Sequence, residues 1–208
     1  MALTTLDPAT ALIVVDLQQG VAGVPTVPPV NEVVARANEL IGAFRRHGLP
    51  IVLVVVAGSP PGRTDHGSRR SGPVPDGYAD LIPDLAAAPD DYRVTKYARS
   101  AFAGTNLADH LRSRAITQVV LTGVATSSGV ESTARSAHDE GFNVTVAVDA
   151  MADSRPDDHD YAITHVFPRI GETGTTAQII ELLDRTRAET RGDTRTETST
   201  DTGTETRA

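Results

Sequence analysis

The sequence predicts an α/β fold built on a mostly parallel sheet, and three observations carry that prediction. Four short apolar runs, "ALIVVD" (11–16), "PIVLVVV" (50–56), "QVVLTGV" (118–124) and "NVTVAVDA" (143–150), are rich in Val and do not alternate with polar residues. Strands covered on both faces read this way. Helical spacing fills the intervals between them, the alternation expected of a parallel sheet with right-handed crossovers. Finally, 208 residues suffice for one domain with a substantial core.

The elements follow in order. After the first strand, "NEVVARANELIGAFRRHG" repeats apolar residues at Val33, Ala37, Leu40, Ile41 and Phe44, a helical period, and stops at Gly48. The second strand leads into "AGSPPGRTDHGSRRSGPVPDGY" (57–78), a Gly/Pro-rich loop of the length that more often carries function than connection. A short strand is expected at Tyr92–Thr95, then a helix over 106–115. Beyond the strand at 118–124 a helix is expected over 129–141, with Ser128-Gly129-Val130-Glu131 fitting a capping box. Pro156 suits the first position of a further helix. A strand near Ile170–Glu172 and a helix over 176–183 complete the ordered domain, residues 1–186. From Arg187 onward Thr and charged residues leave almost nothing to bury, so 187–208 are expected to be a disordered tail.

Composition narrows the partners. A formal charge of −8 argues against nucleic acid or an anionic membrane surface as the main partner. No run reaches the roughly 18 apolar residues of a membrane span, and the first residues lack a signal-peptide pattern, so a cytoplasmic location is expected. The absence of cysteine removes disulfides, thiolate metal sites and thiol nucleophiles. The six histidines form no metal-binding spacing, and no metal or other cofactor is expected.

Candidate chemistry lies where strands end, because ligands of open α/β sheets sit beyond the carboxyl ends of the strands. Asp16 closes the first apolar run, an awkward place to bury a carboxylate. Asp149 ends another run, but with Asp153 and Ser154 close behind, helix capping accounts for that stretch. Lys96 follows the short strand in "RVTKYARSAFAGTNL"; alone it reads as a solvated charge. Ser127 and Ser128 are hydroxyls at the turn after the strand at 118–124, with capping preferred to nucleophilic use. Arg63, in the long loop with Arg69 and Arg70, is a candidate for recognising a substrate carboxylate.

Together, "ALIVVDLQQG", "VTKYARSAFAGTNL" and "VVLTGVATSSGVESTARSAHDEGFNVTVAVDAM" resemble, in order and spacing, the signature of the isochorismatase-like hydrolase superfamily, from about Thr10 to Leu183. The resemblance implies a Rossmann-like three-layer αβα sandwich of about six strands, assembled as a homo-oligomer, dimer or tetramer. It implies catalytic positions at Asp16, Lys96 and Gly129, the last where most members carry the nucleophilic cysteine. It further implies a non-proline cis peptide at Val124–Ala125, shaping the oxyanion pocket. Gln18, Arg63, Val124, Ala125 and Ser128 complete the expected substrate site. The chain departs from the pattern in three places. Val21 replaces an aromatic residue, the Asp-x-His metal motif of nicotinamidases is absent, and Val56 stands where isochorismatases carry Gln.

Glycine at 129 cannot form a thioester, which removes amide hydrolysis by the family's covalent route. The isochorismatase branch cleaves a vinyl ether without a covalent intermediate. The expectation is therefore acid-assisted hydrolysis of a small carboxylate-bearing, vinyl-ether-type metabolite, with Asp16 as general acid and Lys96 orienting it or binding a carboxylate. Two alternatives stand beside it: a non-catalytic binding or assembly subunit, and a hydrolase of an unrelated ester or amide using Asp16 as general base.

Overall fold

The structure, a computed structural model, describes residues 3–65 and 74–197. Its centre is a six-stranded, all-parallel sheet of β1 (Thr10–Val15), β2 (Ile51–Val56), β3 (Tyr92–Lys96), β4 (Gln118–Val124), β5 (Asn143–Ala152) and β6 (Glu172–Gly174), in the order β3-β2-β1-β4-β5-β6. The chain builds outward from β1 to β3, then returns to lay β4 on the other side of β1. That reversal opens the crevice in which ligands of such sheets bind.

Among the described residues six helices surround the sheet: the single turn α1 (Gln19–Ala22), α2 (Val30–Arg46), α3 (Leu107–Ser113), α4 (Glu131–Asp139), α5 (Pro156–Tyr161) and α6 (Thr176–Glu197). A π-type turn over Thr126–Val130 precedes α4, and a second, Ala162–Val166, follows α5. Because alternate strand residues point to opposite faces, β1 feeds two cores. Leu12 and Val14 meet Leu40, Ile41 and Phe44 of α2 and Ile179 and Leu183 of α6. Ile13 and Val15 meet Leu107 and Leu111 of α3 and Ala134 of α4. Phe44 and Leu40 are fully buried, each contributing about 2 kcal/mol. No helix among the described residues is long and apolar enough to cross a membrane.

Gly123 sets how closely β4 approaches β1. Its φ is +121°, and a Cβ there would stand 2.0 Å from the Val15 carbonyl oxygen. Only glycine lets the two strands meet at the crevice.

Several expectations are corrected. The expected tail begins at Arg187, yet α6 runs to Glu197, so the boundary falls inside a helix. Arg187 itself donates to the carbonyls of Pro8 and His47, and a helix already nucleated extends without a new nucleation cost. Residues 198–208 lie outside the described residues, as do His66, Arg69 and Arg70 of the long loop. The capping box is not formed. α4 starts at Glu131 without a side-chain cap, Glu131 pairs with Arg135, and Ser128 is engaged elsewhere. Asp149 and Asp153 do not cap the neighbouring α5. Asp149 instead accepts from the Thr176 N–H and hydroxyl at the start of α6, and Asp153 from those of Ser127. Both are caps whose helical partners are distant in sequence.

Candidate active site

At the reversal point, beyond the carboxyl ends of the strands, lies a cavity of about 390 Å³. Asp16 enters it because the chain leaves β1 there. Its N–H still bonds to the Val54 carbonyl at 2.9 Å, but its φ is +54°. Asp tolerates this left-handed conformation better than most residues, and the turn is closed by the Gln18 N–H on the Asp16 carbonyl at 2.9 Å. Lys96 ends β3, two strands away, and reaches across the end of β2. Its Nζ lies 2.9 Å from Asp16 Oδ2 and donates to the Arg99 carbonyl at 2.5 Å. Lysine is almost never fully buried unless paired; here it is 1% exposed.

The carboxyl group is asymmetric. Oδ2 is held by Lys96, whereas Oδ1 is buried with no hydrogen-bond partner. Burial raises the Asp16 pKa to about 6, against the opposing charge and hydrogen bond of Lys96. An acid of that strength holds its proton below about pH 6 and can give it up.

Gly129 forms the wall next to Asp16. A Cβ on it would lie 3.0 Å from Asp16 Oδ2, 3.1 Å from the Val124 carbonyl and 3.2 Å from Val15 Cγ1. Any side chain here would press on the carboxylate. The peptide between Val124 and Ala125 is cis, and both residues line the cavity. Val21, Val56, Pro60 and Tyr78 add apolar walls.

The structure thus gathers Asp16, Lys96, Val124, Ala125, Ser128 and Gly129 around one space. It does not bring Gln18 or Arg63 there. Gln18 is wholly buried, its amide donating to the carbonyls of Val56 and Tyr78 and accepting from the Val56 N–H. It ties the end of β2 to the far end of the long loop. Arg63 is exposed and outside the lining. A histidine does approach the turn after β4, but the wrong hydroxyl. His159 Nδ1 lies 2.8 Å from Thr126 Oγ1, which is buried outside the cavity lining.

Arg99 is the residue that sequence reasoning passed over. It lines the cavity and donates to Ser128 Oγ at 2.6 Å. It lies three residues beyond Lys96, but its partner is 29 residues further on, so no local spacing signals the contact. Among the described residues no three His, Asp or Glu come together as a metal site would require.

The comparisons with known proteins agree with this geometry. Residues 10–178 match the isochorismatase domain. The chain is 37% identical over 178 residues to the uncharacterized isochorismatase family protein YwoC of Bacillus subtilis, covering 83% of this chain and 93% of that one. A Bacillus subtilis protein named isochorismatase is 30% identical over 168 residues, 77% of this chain and 53% of its own length. The solved structure of an isochorismatase family protein from Burkholderia thailandensis superposes with a TM-score of 0.82 at 38% identity, covering 86% of this chain and 98% of that one.

Proposed function

This chain belongs to the isochorismatase family, and we propose that it hydrolyses a small carboxylate-bearing vinyl ether with Asp16 as general acid. The observation that carries this reading is the buried carboxyl group of Asp16 on the cavity wall, one oxygen held by Lys96 and the other without a partner, beside a residue without a side chain. A covalent amidase needs a nucleophile at 129; proton transfer to carbon needs only a positioned acid of suitable strength.

In the proposed reaction Asp16 delivers its proton to the terminal vinyl carbon, and positive charge develops at the ether carbon. Lys96 stabilises the carboxylate left behind through Oδ2. Water adds to the oxocarbenium carbon, and the hemiketal collapses to the free alcohol and a ketone, pyruvate where the ether is an enolpyruvyl one. The proton lost by that water as it adds restores Asp16, and collapse passes the hemiketal hydroxyl proton to the leaving alcohol oxygen. The apolar walls limit water around the cation.

A pKa of about 6 would also suit a general base, so the pH dependence separates the two uses. Isochorismate and simpler enolpyruvyl ethers are assayed for pyruvate release between pH 4.5 and 8.5. The acid reading expects kcat to fall as pH rises through about 6, and Asp16→Asn to be inactive. A limb that rises with pH would transfer the role to a base. Turnover of these ethers by Asp16→Asn at the wild-type rate would end the proposal, and binding without turnover would favour a non-catalytic subunit. The same reading expects a dimer or tetramer, which sedimentation velocity checks.

A further inference from the structure

We infer that Arg99 and Ser128 form the subsite that receives the substrate's carboxylate. The inference rests on the hydrolase reading only for what happens at the other end of the substrate. Among the described residues two cations line the cavity, and they differ in what they are committed to. Lys96 is 2.9 Å from Asp16 and fully buried. Arg99 forms no ion pair among the described residues and stands exposed on the cavity wall. Elsewhere in this acidic chain arginines such as Arg45 and Arg112 face carboxylates at 3.1 and 2.6 Å.

The hydrogen bond between Arg99 and Ser128 sets the chemistry. Arg99 Nη1 donates to Ser128 Oγ at 2.6 Å, so the hydroxyl is already an acceptor and its own proton is left to point at another group. A cationic donor on the oxygen also strengthens that hydroxyl as a donor. The rest of the guanidinium fork offers further N–H groups. A planar carboxylate can then take one bond from the guanidinium and one from the hydroxyl. Ser128 is held in place, since its N–H bonds to the Ala125 carbonyl at 3.0 Å and the adjacent Gly129 abuts Asp16. The subsite and Asp16 therefore line one cavity. One recognises charge, and the other acts on what that charge positions.

The test is binding, read independently of turnover. Pyruvate and benzoate, and their neutral amides, are titrated into the full-length protein by calorimetry at pH 7 and low salt. The carboxylates should bind at least 10-fold more tightly than the amides. Arg99→Met should remove that preference while leaving amide binding within 2-fold. Arg99→Lys should recover only part of it, because an ammonium lacks the fork, and Ser128→Ala should weaken carboxylate binding about 3- to 10-fold. Unchanged thermal melting of Arg99→Met, expected for an exposed side chain, establishes that the loss is local. Carboxylates that fail to bind the wild type, or that bind Arg99→Met as tightly, would overturn the subsite. On a turned-over ether, Arg99→Met should raise KM with a smaller effect on kcat. Failure of every ether with carboxylate preference intact would count against the hydrolase reading alone.

Discussion

The sheet carries a cavity at each end, of nearly equal size: about 390 Å³ beyond the carboxyl ends of the strands and about 370 Å³ at their amino ends. Both contain carboxylates, yet only one is equipped for chemistry. At the amino end, Asp7 accepts from Thr117 and Asn143, Gln118 accepts from the Asp7 N–H and donates to Thr145, and Glu172 accepts from Thr4. No buried side-chain polar atom among its described lining residues lacks a partner. At the carboxyl end Asp16 Oδ1 is left without one. A buried polar atom without a partner costs about 1–3 kcal/mol. Volume does not distinguish the two cavities; a carboxylate oxygen without a partner among the lining residues does.

The largest effect expected from this contrast is at Asp16. Asp16→Asn should lower turnover about 1,000-fold, the scale of a lost general acid, measured as kcat/KM on whichever ether is processed. The matching change at the other end, Asp7→Asn, should leave kcat/KM unchanged. Equal losses from both would erase the distinction.

Next in size is a pH effect on stability. The folded pKa of Asp16, about 6, lies above its ordinary value of 3.8, so the folded state binds this proton more tightly than the unfolded state. The resulting stabilisation is complete below pH 4 and is lost as pH rises through 6, on the order of 3 kcal/mol across that window. Urea unfolding at pH 4.5 and 7.5 should show wild type losing about 2 kcal/mol of stability relative to Asp16→Asn, since part of the effect is already gone at pH 4.5. A difference that does not move with pH would show that burial does not govern this carboxyl.

Gly129→Ala should be smaller again. Its Cβ at 3.0 Å from Asp16 Oδ2 must displace the carboxylate by a few tenths of an ångström. A loss of about 10- to 100-fold in kcat is expected, with urea midpoints little changed. Full activity would mean that the space beside Asp16 is not used by substrate. Smallest is the stability effect of Asp7→Asn, about 1 kcal/mol, because Thr117 and Asn143 both donate to Oδ2 and an amide oxygen there keeps them while losing the charge.

Much of this was legible from residue order. The continuous apolar runs became β1, β2, β4 and β5 because strands buried on both faces have no polar positions to spare. Asp16 stood out because a carboxylate directly after such a run is costly to bury without a partner. Harder to read were residues whose role depends on a distant partner. Gln18 sits inside the first motif, yet its amide is consumed by backbone at Val56 and Tyr78. Asp149 and Asp153 read as local caps, and capping is what they do, but at Thr176 and Ser127. Arg99 carried no local signal at all.

The sequence by itself determined the layered α/β architecture, the carboxylate at the end of β1 and the absence of any thiol. Hydrophobic periodicity and residue chemistry are local properties of the chain. Only the tertiary structure decided that Lys96 would reach Asp16 from two strands away, that Oδ1 would be left unpaired, and that Arg99 would meet Ser128. Those outcomes depend on strand order and on the close approach at Gly123, where contacts form between residues that the chain itself keeps far apart.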